Sequence, residues 1–383
     1  MHAPLRGVRV LDLSRLIPGP FCTLILSDLG ASVDKLEDPH VGDYLRVFPP
    51  FKRGLSGRFN ALNRDKRSLC LDLKKPEGRD ALLQLAKSYD VVVESFRPGV
   101  LDKLGVGFAA LSEKNPRLIL LSISGYGQDG PYRERAGHDL NYIALGGVLG
   151  LAGPPDRPPP VPAVQLADIA GGALFGAVGI LAALYEREKS GRGQQIDLSM
   201  CEGALAFAIP ELGNFDAAGT PPRRGGELLI GGVACYGVYR TKDGRFLSVG
   251  ALEPKFWAAF NTAIGRPVDM SELVAPEAEQ ARVRGEIQAI LETRTRDEWE
   301  QILVGDVCVE PVLAADELAA HPQHRARGMF YEIDGLTQTR TPFGTTDGHR
   351  PPPALGGDGA AILGEAGFSD GDIERLRAIG VTK

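Results

Sequence analysis

The sequence predicts an α/β protein: a large domain built on a Rossmann-like, mainly parallel sheet, with a small α/β domain beside it. Two observations carry this prediction. Short apolar strands alternate with helical stretches through the first half of the 383 residues, which is the rhythm of a parallel sheet covered on both faces. A chain of this length also exceeds the roughly 250–300 residues that one core usually supports. The expected division is a large domain over 1–196, a linker over 197–236, a small domain over 237–321, a second linker over 322–336 and a return to the large domain over 337–383.

The elements follow in order. Val8 to Leu13 reads as a buried strand, Pro18-Gly19-Pro20 as a turn opening a helix over Phe21 to Leu29, and Ser32 to Glu37 as a second strand. This βαβ start invites a dinucleotide reading, with Glu37 and Asp38 closing the second strand. The first turn, however, lacks G-x-G-x-x-G, and its prolines remove N–H groups a pyrophosphate would use. Leu69 to Leu73, Val91 to Glu94 and Leu118 to Ser122 read as strands, and Gly78 to Ser88 and Gly137 to Leu151 as helices. A proline-rich loop follows over 154–160. Asp168 opens a long apolar helix through Tyr185, and Gln194 to Met200 returns as a strand. In the small domain, Tyr236 to Arg240 and Arg245 to Gly250 flank Lys242-Asp243-Gly244, a hairpin signal. Helices are expected around 255–263, 277–292 and 295–304, and a capped one after Ser369.

A net charge of −6 gives no general attraction to nucleic acid or anionic membranes. Five scattered cysteines, without C-x-x-C spacing, indicate neither a zinc knuckle nor a disulfide scaffold and fit a reducing cytosol. The N-terminus lacks a signal-peptide core, and no apolar run reads as long enough to span a bilayer; Gly171 to Tyr185 is expected to be a buried helix.

Gly137-His138-Asp139-Leu140-Asn141-Tyr142 is the most informative stretch. An imidazole and a carboxylate on separate elements can stand on opposite faces of one carbon, removing a proton and returning it from the other side. His138 could equally be a partly buried histidine bonded to Asp139. Asp168 could simply cap its helix, a role compatible with catalysis because unpaired N–H groups there can stabilise an oxyanion, with Gly171 and Gly172 giving space. Glu253 reads most simply as first-turn charge on the helix that follows it. Lys35, Arg97 and Lys103, near strand ends, are surface charges or phosphate grips. His321-x-x-His324 lies in a polar loop, and no metal site is expected.

Leu5 to Asp12, Ser95-Phe96-Arg97-Pro98-Gly99-Val100, Ser122-Ile123-Ser124-Gly125-Tyr126-Gly127 and Gly191-Arg192-Gly193-Gln194 resemble the family III CoA-transferase (CaiB/BaiF) superfamily over nearly the whole chain. Within it, Gly137 to Tyr142 and Ala251-Leu252-Glu253-Pro254-Lys255-Phe256 are similar to the α-methylacyl-CoA racemases. The resemblance implies the family III fold as an interlocked homodimer, with each site between the large domain of one subunit and the small domain of the other. It implies His138 and Asp168 as the acid/base pair, assisted by Asp139 and Glu253. It implies CoA contacts from Lys35, from Leu71-Asp72-Leu73-Lys74, from Ser95, Phe96 and Arg97, and from Lys103, with Gly137, Leu140, Asn141 and Tyr142 at the substrate. Lysine at 35 and 103 lacks the bidentate fork of arginine. The basic segment 47–59 is expected to form an extra loop near the nucleotide.

The reaction so implied interconverts (2R)- and (2S)-2-methylacyl-CoA through an enolate, in fatty acid metabolism, with no cofactor beyond the CoA of the substrate. Two alternatives remain. One is a CoA-transferase in which Asp168 forms an acyl anhydride. The other is a non-catalytic CoA-binding or scaffolding protein.

Overall fold

A computed structural model describes residues 3–383. Among the described residues, eight strands precede residue 200: β1 (Arg9–Asp12), β2 (Ser32–Glu37), β3 (Phe51–Lys52), β4 (Leu55–Ser56), β5 (Arg67–Cys70), β6 (Val91–Glu94), β7 (Ile119–Ser124) and β8 (Gln195–Ser199). Six of them form one sheet in the order β5-β2-β1-β6-β7-β8, and every pairing in it is parallel. Its central strands are buried on both faces, so Val91, Val92 and Val93 read as a continuous apolar run.

The order reverses between β1 and β6. From β1 the chain moves outward through β2 to β5, then crosses back and moves the other way through β7 to β8. A crevice opens at the carboxyl ends of the strands at such a switch point, and open α/β sheets bind ligands there. The turn 14–17 after β1 and the turn 95–97 after β6 therefore border the place where a ligand is expected.

The chain divides into two compact units, one of residues 1–146, 162–207 and 322–383, the other of residues 147–161 and 208–321. Residues 147–161, expected in the large domain, fold with the second unit; of the two expected linkers, 197–236 divides, with 197–207 in the first unit and 208–236 in the second, and 322–336 folds with the first. The helix expected over 137–151 is correspondingly broken: Asp139–Leu145 and Val148–Leu151 are separated at Gly147, whose φ of +81° cannot continue a helix. The segment 47–59 is not one open loop. It comprises the end of a 3₁₀ turn (Tyr44–Val47), the small hairpin β3–β4 and the start of the helix Gly57–Leu62.

The second unit carries the antiparallel sheet β11-β10-β9, with β9 at Tyr236–Arg240, β10 at Phe246–Gly250 and β11 at Val309–Pro311. Trp257, Phe260, Val283, Ile287 and Trp299 build its core. After it, β12 (Phe330–Ile333) and β13 (Leu336–Thr339) form a hairpin of the first unit.

The long apolar helix expected from Asp168 is present: a π-helical turn (Ala167–Leu174) runs directly into the α-helix Phe175–Ser190. Within this 24-residue stretch an 18-residue window has a mean hydropathy of 1.8, so, against expectation, the helix is long and apolar enough to cross a membrane by length and composition. The helix packs on β7 and β8, burying Gly176, Ala177, Ile180 and Ala183. It leaves Leu174, Phe175, Val178, Leu181 and Tyr185 exposed.

Candidate active site

Local chemistry brings His138, Asp139 and Asp168 together. His138 is the N-cap of the helix Asp139–Leu145, in extended conformation, and its backbone N–H donates to the Asn141 side chain at 3.0 Å. Asn141 thus caps the helix, and the exposed His138 imidazole has no side-chain capping bond. Asp139 reaches across to the second helix, where its Oδ1 accepts the Asp168 N–H at 3.0 Å. This single bond ties the two elements that carry the candidate acid and base.

The cap reading of Asp168 does not hold. Asp168 lies inside the first π-helical turn and makes no capping bond; Asp139 satisfies its N–H instead. Two consequences follow. The Asp168 carboxyl is left free for other work, and its own N–H is already spent and unavailable to an oxyanion. Burial, and then the negative charge of Asp139, push its pKa up to about 7. The wider π turn, a feature often found at functional sites, begins at the preceding residue, Ala167.

The glycines do not supply open space, as first expected. A Cβ on Gly171 would lie 2.9 Å from the Met200 carbonyl oxygen and 3.0 Å from the Ala204 nitrogen. Gly171 lets the helix Met200–Ala206 press against the π turn. Gly125 and Gly137 do the same for a ring: Cβ atoms there would lie 2.5 and 2.7 Å from Cε1 of Tyr142. Buried Tyr142 donates to the Gly137 carbonyl at 2.5 Å and so fixes the approach to His138. Burial, together with the charge of Asp168, pushes its hydroxyl pKa up to about 12, so it stays protonated. Tyr126, from the motif ending β7, packs edge-on against it at 5.1 Å.

The other predicted residues scatter in role. Leu140 is exposed, as are Arg97, Lys103 and Lys74. Asp72 accepts the Lys74 N–H at 3.0 Å, shaping the turn after β5, while Leu71 is buried and Leu73 partly so. Ser95 accepts the Arg15 N–H at 3.1 Å. Glu253 is exposed and stands at the N-cap of the helix Pro254–Ala263 without capping it through its side chain; it belongs to the second unit.

Lys35 is buried and not a phosphate grip. Its side chain has no exposure, and its Nζ lies 3.0 Å from Asp43 Oδ2 and 2.8 Å from the Ser14 carbonyl. A phosphate at the surface cannot reach an amine committed in this way. Burial opposes its charge, but Asp12 and Asp43 outweigh that and hold its pKa up.

Three residues escaped the sequence reading. Glu94 is buried at the end of β6, accepts the Phe96 N–H at 2.7 Å, and has its pKa pushed up to about 7 by burial. Arg15 and Tyr44 meet in the crevice, Nη1 to Oη at 3.1 Å. Glu94 adjoins a motif already singled out, but Arg15 and Tyr44 carry no local signal of their proximity.

Among the described residues, one group of His/Asp side chains has cation-site spacing, namely Asp28, Asp65 and His349. The Arg64 guanidinium already fills it, at 2.7 Å from both Asp28 and Asp65. A cavity of about 1180 Å³ lies in the second unit, and none of the predicted site residues lines it.

With this geometry in place, comparison with known proteins defines the class. The profile of CoA-transferase family III matches residues 5–359, and the chain belongs to that family. Human alpha-methylacyl-CoA racemase is 36% identical over 98% of this chain and 96% of its own. The acetyl-CoA:oxalate CoA-transferase of Acetobacter aceti is 35% identical over 94% of this chain and 95% of its own. A CAIB/BAIF family protein from Brucella suis superposes with a TM-score of 0.82 at 32% identity, covering 96% of this chain and 100% of its own. The relatives thus include both racemases and CoA-transferases.

Proposed function

We propose that this enzyme interconverts (2R)- and (2S)-2-methylacyl-CoA by a two-base 1,1-proton transfer. The observation that carries this reading is Asp168, a carboxyl with a pKa of about 7 whose backbone N–H is bonded to Asp139, the residue beside His138. A group that must remove a proton in one direction and return one in the other works best when its pKa lies near the working pH. One group takes the C2 proton, the charge moves onto the thioester oxygen as an enolate, and the other group protonates the opposite face. The two exchange roles with the substrate enantiomer. Two bases and the thioester suffice, so CoA enters only as part of the substrate.

The transferase relatives favour one competing reading, in which the Asp168 carboxylate attacks the thioester carbonyl, expels CoA thiolate and forms a mixed anhydride. Against it stands the exposed His138 imidazole beside Asp139, for which anhydride chemistry has no evident need.

We further propose an interlocked homodimer in the cytosol. The apolar stripe from Leu174 to Tyr185 supports a second copy as its cover, and the five free thiols suit a reducing compartment. In such a dimer Glu253 assists His138 from the partner subunit. Mixed His138→Gln and Glu253→Gln chains then recover activity that neither homodimer has; confirmed heterodimers without activity would remove this role.

The deciding experiment incubates single enantiomers of 2-methylacyl-CoA esters in deuterium oxide without an acceptor acid. Loss of optical activity with deuterium at C2 is expected. Acceptor-dependent CoA transfer with no C2 exchange, and trapping of the enzyme carboxylate by hydroxylamine, would establish the transferase instead.

A further inference from the structure

We propose that Arg15 grips a phosphate of the coenzyme A nucleotide, its guanidinium held between the rings of Tyr44 and Phe96 in the crevice between β1 and β6. The inference rests on the reading that the substrate is a CoA thioester.

The position comes from the topology. Arg15 lies in the turn after β1, and Ser95 and Phe96 lie in the turn after β6, on the two sides of the switch point. The Arg15 Cζ is 5.2 Å from the Tyr44 ring centroid and 5.3 Å from that of Phe96. Both contacts orient the planar group, and neither neutralises it. Among the described residues, the guanidinium's side-chain bond runs to the Tyr44 hydroxyl.

The backbone beneath it is pinned residue by residue. The Ser14 carbonyl accepts from Lys35 Nζ at 2.8 Å, the Arg15 N–H donates to Ser95 Oγ at 3.1 Å, and the Leu16 N–H donates to Asp43 Oδ1 at 3.1 Å. Three successive residues are thus held by three different segments. Leu16 adopts φ +65°, a left-handed conformation that leucine rarely takes. Such a conformation persists only where the surroundings over-determine it, and it is concentrated at ligand clamps.

The chemistry of the turn selects the ligand class. Pro18 and Pro20 begin the next helix, and residue 17 offers no side-chain cap, so the helix terminus is a poor phosphate cradle. A guanidinium supplies instead the planar fork that matches two phosphate oxygens. Lys35, buried beneath the turn, becomes a positioning residue that acts through the Ser14 carbonyl.

Calorimetric titration with free CoA tests this independently of any turnover. The Arg15→Gln variant should bind CoA about 10- to 100-fold more weakly, as expected for one lost charge-assisted contact. Arg15→Lys should recover only part of that loss, since it keeps the charge and lacks the fork. A purely structural role would lower the unfolding temperature of the unliganded protein, which should stay at the wild-type value in Arg15→Lys. As a second measure, the preference of wild type for acyl-CoA over acyl-pantetheine in kcat/KM should narrow by the same factor in Arg15→Gln. Wild-type affinity for CoA in both variants would overturn the assignment of Arg15 alone. Failure of the wild-type protein to bind CoA would overturn the underlying reading with it.

Discussion

Two groups of charge in the first unit, one fully buried and one partly exposed, are built in opposite ways. Asp12, Lys35, Asp43 and Lys66 are fully buried and balance one another, two anions against two cations, with Lys66 Nζ 3.1 Å from Asp12 and Lys35 3.0 Å from Asp43. Asp168 has a like charge, Asp139, beside it and no cation paired with it among the described residues. Burial acts on both. In the balanced group the lysines overcome it and hold Asp12 well below the usual carboxylate range; at Asp168 nothing does, and the pKa rises. Compensated charge holds loops in place, whereas uncompensated charge leaves a group poised to exchange protons.

The largest effect should come from removing the poised groups. Asp168→Asn and His138→Gln should each lower racemisation by roughly three orders of magnitude or more while leaving the assembly intact, as loss of one member of a coupled pair does. Kinetics on each purified enantiomer, with dimer content checked by light scattering, would measure this. Near-wild-type rates in either variant would remove that residue from the chemistry.

Breaking the compensated group should instead cost stability. Lys35→Met leaves Asp12 and Asp43 with Lys66 as their remaining buried partner, and stranding a buried charge costs about 3–5 kcal/mol. Urea unfolding should show a loss of that size. A loss under 1 kcal/mol would mean that the turn after β1 is held by its other bonds.

The contrast also explains what the sequence could reveal. Strand β2 at Ser32–Glu37, β6 at Val91–Glu94 and β9 at Tyr236–Arg240 appear where the pattern places them, because apolar runs and turn residues are local signals. The Gly137 to Tyr142 motif and Asp168 were legible for the same reason. Burial across the sheet is not local. Lys35 looked like a surface cation because nothing in its neighbourhood shows that Asp43 and the Ser14 carbonyl converge on its amine. Asp168 looked like a cap because the partner of its N–H, Asp139, lies 29 positions away. Arg15 was read only as part of a turn unsuited to a pyrophosphate, since Tyr44 and Phe96 reach it only through the fold.

A smaller effect should separate the two influences on Asp168. Asp139→Asn removes the like charge while keeping a side-chain oxygen to accept the Asp168 N–H. The pH limb assigned to Asp168 should then move to lower pH in kcat/KM for the enantiomer that Asp168 deprotonates, with the enzyme still active. A limb unmoved between wild type and variant would assign the whole shift to burial.

The smallest effect concerns stability, and its sign distinguishes a poised carboxyl from a structural one. The folded-state pKa of Asp168, about 7, lies above the ordinary 3.8. Between these values the folded protein holds a proton that the unfolded chain has released, so stability falls as pH rises through this window. Below about pH 4 both states are protonated, and the penalty vanishes. Asp168→Asn cannot ionise and escapes the penalty. It should therefore unfold at a higher temperature than wild type at pH 8, with the difference shrinking towards pH 4. Asp12→Asn, in the balanced group, should behave in the opposite way, because its depressed pKa contributes stability that is present at neutral pH and lost in acid. Thermal unfolding is the measurement, across pH 4–8 for Asp168→Asn and below pH 4 for Asp12→Asn, where the stabilisation of a depressed carboxyl is lost. If Asp168→Asn is destabilised at pH 8 to the same degree as Asp12→Asn, then the Asp168 carboxylate has a stabilising partner, and the contrast between the two groups fails.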